Sequence, residues 1–292
     1  MELRERRIES AGPTLVVLEG GDLAGAPVLV HHGTPGSGLL YRPHLEHALV
    51  HGIRLIGYSR PGYGGSTRAP GRSVADAAAD VVAIADALWL YRLVVVGGSG
   101  GGPHALACGA LLPERVAAVA ALASVAPYPA DGLDWLAGMG EDNIQEFTAA
   151  LAGAETLEPL LRGLADEMLG AYPETIAEAL RSLLSAADEA ALTGELAAFF
   201  VESTHLGLSE GVEGWLDDDL AFAKPWGFSP AEIRVPVLLW QGAQDRFVPL
   251  AHGRWLAERI PGVDAHLTEE DGHLTLVDRA PEVHAWLLER LR

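Results

Sequence analysis

Leu93-Val-Val-Val-Gly97-Gly98-Ser99-Gly100-Gly101-Gly102-Pro103 is the stretch on which the reading of this chain turns. Its four apolar residues suit a buried strand, and the run after Pro103 is competent to form a helix. Between them stands G-x-S-x-G, which places Ser99 at the apex of a sharp strand-to-helix turn. Small neighbours are needed there, because a nucleophile at such an apex sits in strained backbone with other chain passing close by. The following helix aims its N-terminus at the serine, and the Gly100 N–H can donate to a developing oxyanion. A nucleotide-binding glycine loop is the rival reading. From Gly98 the pattern runs Gly98-x-Gly100-x-x-Pro103, without the third glycine of a dinucleotide fingerprint. The region Ala120–Ser124, where its acidic residue is due, holds none, and no Gly-Lys-Ser/Thr follows.

A serine hydroxyl becomes a useful nucleophile when a histidine takes its proton and an acid orients that histidine. After a nucleophile elbow the partners come in the order Asp/Glu, then His. Val237–Gly242 reads as an apolar strand and runs into Ala243-Gln-Asp245, so Asp245 falls just past the strand's C-terminal end. His273, in Asp271-Gly272-His273, follows the strand Ala265–Thr268 and precedes a final helix at Pro281. An aspartate in such a loop is often only a helix cap, and the chain has 11 histidines, so neither residue decides alone. Three residues in the required order, each at a strand end, make Ser99, Asp245 and His273 the candidate catalytic set. Asp271 competes for the acid's role. His266 within a strand, His252 and His284 on helices, and His104 and Cys108 on the helix after Ser99 are read as packing or surface residues.

Outward from the elbow, short strands alternate with helical segments. Thr14–Glu19, Pro27–His31, Arg54–Tyr58, Leu93–Val96 and Val116–Ser124 read as strands; Leu40–Val50, Val74–Leu88 and Pro103–Leu112 read as helices. This alternation predicts the α/β class, a mostly parallel sheet flanked by helices on both faces. Residues 128–228 break it. Helix-like stretches at Glu141–Ala152, Glu155–Leu169, Pro173–Leu184 and Glu189–Val201 follow one another without a strand, and from Asp131 to Asp219 stand 20 acidic residues against Arg162 and Arg181. The expected organisation is a core of 1–127 and 229–292 with an inserted helical lid over 128–228. The lid's acids are read as solvated helix faces in preference to a recognition site for a cationic substrate. Trp135, Trp215, Trp226 and Phe228 can line an acyl pocket or merely dock the lid; Trp226 and Phe228, at its return to the core, are the substrate-binding candidates.

Val28-Leu-Val-His31-His32-Gly33-Thr34-Pro35-Gly36 is an early strand entering a His-Gly-x-Pro-Gly turn. With the elbow, it resembles the α/β-hydrolase family, and its turn is similar to the His-Gly-Gly-Pro-Gly of proline iminopeptidase-like members, with Thr34 in place of the second glycine. The resemblance implies that the Thr34 N–H is the second oxyanion donor beside Gly100, and that His32 braces the loop. Gly57-Tyr58-Ser59-Arg60-Pro61-Gly62-Tyr63-Gly64-Gly65-Ser66 looks like another family turn, with Ser59 at the usual aspartate position; that turn is mainly architectural. The likeness covers Leu15–Ser124 and Val235–Arg292. It implies an α/β-hydrolase fold and attack by serine on a carbonyl, then hydrolysis of an acyl-enzyme, without metal or organic cofactor. A small-molecule carboxylic ester, thioester or lactone is the expected substrate. Members resembling haloalkane dehalogenases and epoxide hydrolases have aspartate where this chain has Ser99, which disfavours those activities. A proline iminopeptidase-like aminopeptidase, a perhydrolase or carbon–carbon bond hydrolase with the same residues, and a non-catalytic ligand receptor on this fold are the alternatives.

The 292 residues carry a formal charge of -20, which repels nucleic acid and anionic membrane surfaces. Cys108 is the single cysteine, so neither an internal disulfide nor a cysteine metal cluster forms. Met1–Ser10 is charged and lacks the apolar centre of a signal peptide. Leu93–Pro113 has no formal charge, but its glycines and Pro103 read as strand, turn and helix, not a membrane span. A cytoplasmic protein is expected, with no nucleic-acid or membrane partner; the composition is compatible with a homo-oligomer.

Overall fold

The computed structural model describes residues 3–291. Its strands are β1 (Arg4–Glu9), β2 (Thr14–Gly21), β3 (Ala26–His31), β4 (Ile53–Tyr58), β5 (Leu93–Gly98), β6 (Val116–Leu122), β7 (Val237–Gly242) and β8 (Asp264–Thr268). They form one sheet in the order β1-β2-β4-β3-β5-β6-β7-β8. β2 runs antiparallel to β1 and β4, and the remaining neighbours are parallel. Alternate residues of the central strands face opposite sides, as the pleat dictates. Leu29, Val95, Val119 and Leu239 point into one apolar core, while Val28, Val94, Ala118 and Leu238 point into the other.

Helices α1 (Arg42–Val50) and α11 (Ala280–Leu291) cover the second face. The first face is covered by α2 (Ala77–Ala87), α3 (Gly101–Leu111) and α10 (Leu250–Ala257). Covering both faces suits a largely parallel sheet, whose strands are apolar on each side. The sheet thus has the expected class. β1 was not anticipated from its charged sequence. Only Ile8 of this edge strand is buried, and Arg6 reaches across to the buried Glu19 at 2.7 Å, which Arg54 also pairs.

Between β6 and β7 the described residues form helices without a strand: α4 (Glu141–Ala152), α5 (Ala154–Leu169), α6 (Ile176–Ala179), α7 (Ala186–Ala191), α8 (Gly194–Gly207) and α9 (Glu213–Phe222). Helical boundaries differ from the sequence reading where turns intervene. Pro173–Leu184 holds only the short α6, and Glu189–Val201 is split between α7 and α8 at Leu192 and Thr193. Twelve of the segment's 20 acids are exposed, in keeping with solvated faces. Glu146, Asp188, Asp217, Asp218 and Asp219 depart from that reading: all five are buried.

Candidate active site

The sheet's parallel strands all end on one edge, and that edge collects the candidate residues. Ser99 follows β5 directly and has φ 54°, the left-handed region that a side chain seldom adopts. Its N–H donates to Leu122 O at 2.9 Å, and its carbonyl accepts from Gly102 N at 2.9 Å as α3 begins. Gly97 and Gly101 make this turn sterically possible. A Cβ on Gly97 would run into the Gly101 carbonyl, and one on Gly101 into the carbonyl of His31 at the end of β3. The turn is therefore pressed onto the loop that follows β3. Gly33 lies beside Ser99, and Gly100 lies against Thr34, so the two candidate oxyanion donors are neighbours.

Asp245 and His273 meet beyond β7 and β8. His273 Nδ1 donates to Asp245 Oδ2 at 2.8 Å, leaving Nε2 free to accept a proton. Asp245 Oδ1 accepts from the N–H groups of Phe247 and Val248 at 2.9 and 2.8 Å, and Gln241 Nε2 donates to Oδ2 at 2.9 Å. Phe247 stacks on the imidazole with ring centroids 4.5 Å apart. Burial works against charge on the imidazole, but the Asp245 charge and hydrogen bond, with Asp188 beyond, outweigh it and raise His273 above the usual histidine value. Burial raises the Asp245 carboxyl as well, against the pull of His273 and the Val248 N–H. Asp271 is engaged elsewhere: it accepts from Thr268 Oγ1 at 2.7 Å and pairs with Arg279 at 2.9 Å. Ser99 and His273 line one cavity, with no direct Ser99–His273 hydrogen bond among the described residues.

Several residues that support this arrangement escaped the sequence reading. Arg60, 1% exposed, donates through Nη1 to the His32 carbonyl and through Nη2 to Gly33 O at 3.3 Å and Thr34 Oγ1 at 3.1 Å. It therefore fixes the loop that carries Thr34. Its charge is met by Asp218 of α9 at 2.7 Å, which also pairs with Arg72 and accepts from Thr34 Oγ1 at 2.8 Å and Tyr63 Oη at 2.9 Å. Burial would raise the Asp218 carboxyl, but Arg60 and Arg72 hold it well below the usual range. His32 braces the same loop as expected: Nε2 accepts from Arg60 N at 3.0 Å, so Nδ1–H donates to Gly33 O at 2.7 Å. Asp188 of α7 accepts from Leu274 N at 2.7 Å, immediately after His273. Arg60 lay within a quoted motif, whereas Asp188 and Asp218 carried no signal that set them apart from the other acids around them.

Ser99 stands where two cavities meet. One, of about 80 Å³, extends toward α4, α5 and α9; the other, of about 280 Å³, passes under the Gly33–Tyr41 loop toward α1 and α11. Trp226 and Phe228 line neither, contrary to the sequence expectation. Their rings pack together at 5.6 Å, and the Trp226 carbonyl accepts from Ala75 N at 2.9 Å, so they dock the returning chain. Trp135 is likewise held away, donating to Ala126 O and packing on His252. Trp215, the remaining aromatic candidate, does line the smaller cavity, and Phe147, Phe200, Phe222 and Phe247 supply its other aromatic walls. His104, His252 and Cys108 are buried packing residues, and buried His284 forms part of the wall of the larger cavity. Among the described residues no group of three His, Cys, Asp or Glu converges as metal ligands would, and no helix is long and apolar enough to cross a membrane.

A family model described as alpha/beta hydrolase fold matches residues 26–280. A non-heme chloroperoxidase of Streptomyces lividans is 34% identical over 145 residues, a match spanning 49% of this chain and 52% of that protein. A pimeloyl-[acyl-carrier protein] methyl ester esterase of Chromobacterium violaceum is 29% identical over 282 residues, 96% of this chain and 94% of that one. Among solved structures, a bromoperoxidase from Bacillus anthracis superposes with a TM-score of 0.71 at 22% identity, covering 99% of each chain.

Proposed function

Since the chain belongs to the α/β-hydrolase fold family, we propose that it is a serine hydrolase that cleaves a small-molecule carboxylic ester, thioester or lactone. One observation carries this reading. Ser99, in left-handed backbone at the start of α3, opens onto the same cavity as a histidine whose Nδ1 is held by a buried carboxylate. In the proposed course His273 Nε2 takes the Ser99 proton as Oγ attacks the carbonyl carbon, and Asp245 keeps the imidazole in the required tautomer. The N–H groups of Thr34 and Gly100 donate to the carbonyl oxygen as it gains charge. His273 then returns its proton to the leaving oxygen or sulfur. A water activated by the same base releases the acyl group as an acid. The two cavities at Ser99 give the two halves of the substrate separate places, and the helices between β6 and β7 serve as a lid over the smaller one.

A fluorophosphonate probe tests the nucleophile directly. The expected result is one adduct per chain, mapped to the Ser99 peptide and absent from Ser99→Ala. Folded protein that takes up no probe, or labels elsewhere, overturns the reading in favour of a ligand receptor on this fold.

A further inference from the structure

Glu146 of α4 and Asp219 of α9, both buried, line the small cavity beside Ser99. Burial raises both carboxyls, and the charge of Glu146 raises Asp219 further, which favours the protonated acid in the free protein. Glu146 Oε1 is satisfied by Trp215 Nε1 at 2.8 Å. Asp219 is fully buried, and neither of its carboxyl oxygens has a hydrogen-bond partner among the described residues. The surrounding walls do not answer this charge. Asp142 and Glu167 add two further carboxylates to the cavity, whose lining contains no lysine, arginine or histidine. Asp218, next in the chain, is already matched by Arg60 and Arg72 and turns to the other side of α9. A buried acid pair with the Trp215 indole as its one donor is unfavourable by itself, and among the residues that line the cavity none offers it a compensating cation.

We infer that Glu146 and Asp219 form a subsite for the ammonium group of a primary or secondary amine carried by the substrate. Such a group brings two or three N–H donors and a positive charge, which are what Asp219 and the cavity lack. Phe147, Trp215 and Phe222 around it offer ring surfaces on which the carbons beside the nitrogen and the charge itself rest. The inference rests on the hydrolase reading only for the word substrate: it names esters, thioesters or lactones with an amine a few bonds from the scissile carbonyl. The ammonium pairs with the ionised acids, which burial keeps protonated to higher pH, so its binding strengthens as pH rises. The other charged groups near the pair are Asp142, Asp218, Glu167, Arg72 and His104. Arg72 favours the ionised Asp219, Asp142 and Asp218 oppose ionisation of the pair, and His104 is neutral, with burial lowering it to about 3.

Binding of n-butylammonium and of 1-butanol to the intact protein, measured by calorimetry at pH 5 and pH 8, tests the subsite. Ser99→Ala is run in parallel, because binding does not require turnover. The expected result is at least a tenfold preference for the amine at pH 8, smaller at pH 5 and equal in Ser99→Ala. In Asp219→Asn and in Glu146→Gln the preference falls below threefold, while 1-butanol binds as before and reports an intact cavity. Equal affinity of the unaltered protein for amine and alcohol overturns the inference without recourse to any variant, as does a preference that survives both substitutions. Amine preference with no fluorophosphonate adduct leaves the subsite standing and removes the hydrolase; an adduct without amine preference does the reverse.

Discussion

Asp217, Asp218 and Asp219 are consecutive and all buried, yet each sits in a different electrostatic state, so replacing them one at a time by asparagine separates the forces at work. Asp218→Asn keeps the shape and removes the charge that holds Arg60 and Arg72, which are 1% and 6% exposed at the side chain. Leaving buried charge uncompensated costs about 3–5 kcal/mol, a large part of a net stability of about 5–15 kcal/mol. Asp217 pairs with Arg68, whose side chain is 37% exposed, so its loss is screened and costs about 1 kcal/mol or less. Asp219→Asn removes one acid of a buried pair and supplies an amide donor to Glu146; it is neutral or stabilising. Urea unfolding followed by circular dichroism and tryptophan fluorescence reads the series. With a slope of about 2 kcal/mol per molar, Asp218→Asn lowers the midpoint by about 2 M. Dependence on pH gives opposite signs. Asp218, held below its unfolded value of 3.8, contributes fully above that pH and loses its contribution as pH falls through the lower folded value. Asp219 is raised in the fold, so its penalty is absent below 3.8 and grows as pH rises, and Asp219→Asn gains most at neutral pH. An Asp218→Asn variant no weaker than Asp217→Asn would refute this account of the buried cluster.

Three further perturbations address the site and the sheet. The acid limb of the kcat/KM profile has its midpoint above 6.5, because a raised His273 must be neutral to act as base; Asp188→Asn shifts that limb down, and an unmoved limb excludes Asp188 from the effect. Gly97→Ala drives a methyl into the Gly101 carbonyl and lowers hydrolytic turnover by roughly 10²-fold or prevents folding, whereas Gly98→Ala, with nothing within 4 Å of its new Cβ, keeps its thermal midpoint within a few degrees. Burial and the neighbouring His44 and His47 lower His284 to about 3 against 6.5 unfolded, so stability falls as pH drops below 6.5; from pH 7 to 5 the loss is about 2 kcal/mol, and His284→Leu flattens that slope in a melting series.

The parts of this molecule that could be read from sequence are those whose chemistry is local to a strand end. The positions of Ser99, Asp245 and His273 depend on where β5, β7 and β8 stop, and a parallel sheet brings those ends to one edge whatever is inserted between them. The glycines around Ser99 carry their own reason, since neighbouring backbone occupies the space a side chain would need. Trp226 and Phe228 had no such local reason. Their place depends on how the chain re-enters the core, and that packing turned them toward Ala75 and away from the cavities. The short α6 was hidden for a related cause: Ile176, Leu180, Leu183 and Leu184 are all buried and keep an apolar period, although only Ile176–Ala179 is helical. Three identical letters at 217–219 state the limit most sharply. Their helix places successive side chains about 100° apart, so one reaches Arg68, the next Arg60 and Arg72, and the third Glu146. Arg60 is separated from Asp218 by 158 positions. What makes one aspartate a clamp on the Thr34 loop and its neighbour an open acceptor beside Ser99 is therefore the number of guanidinium groups that the rest of the chain brings to each.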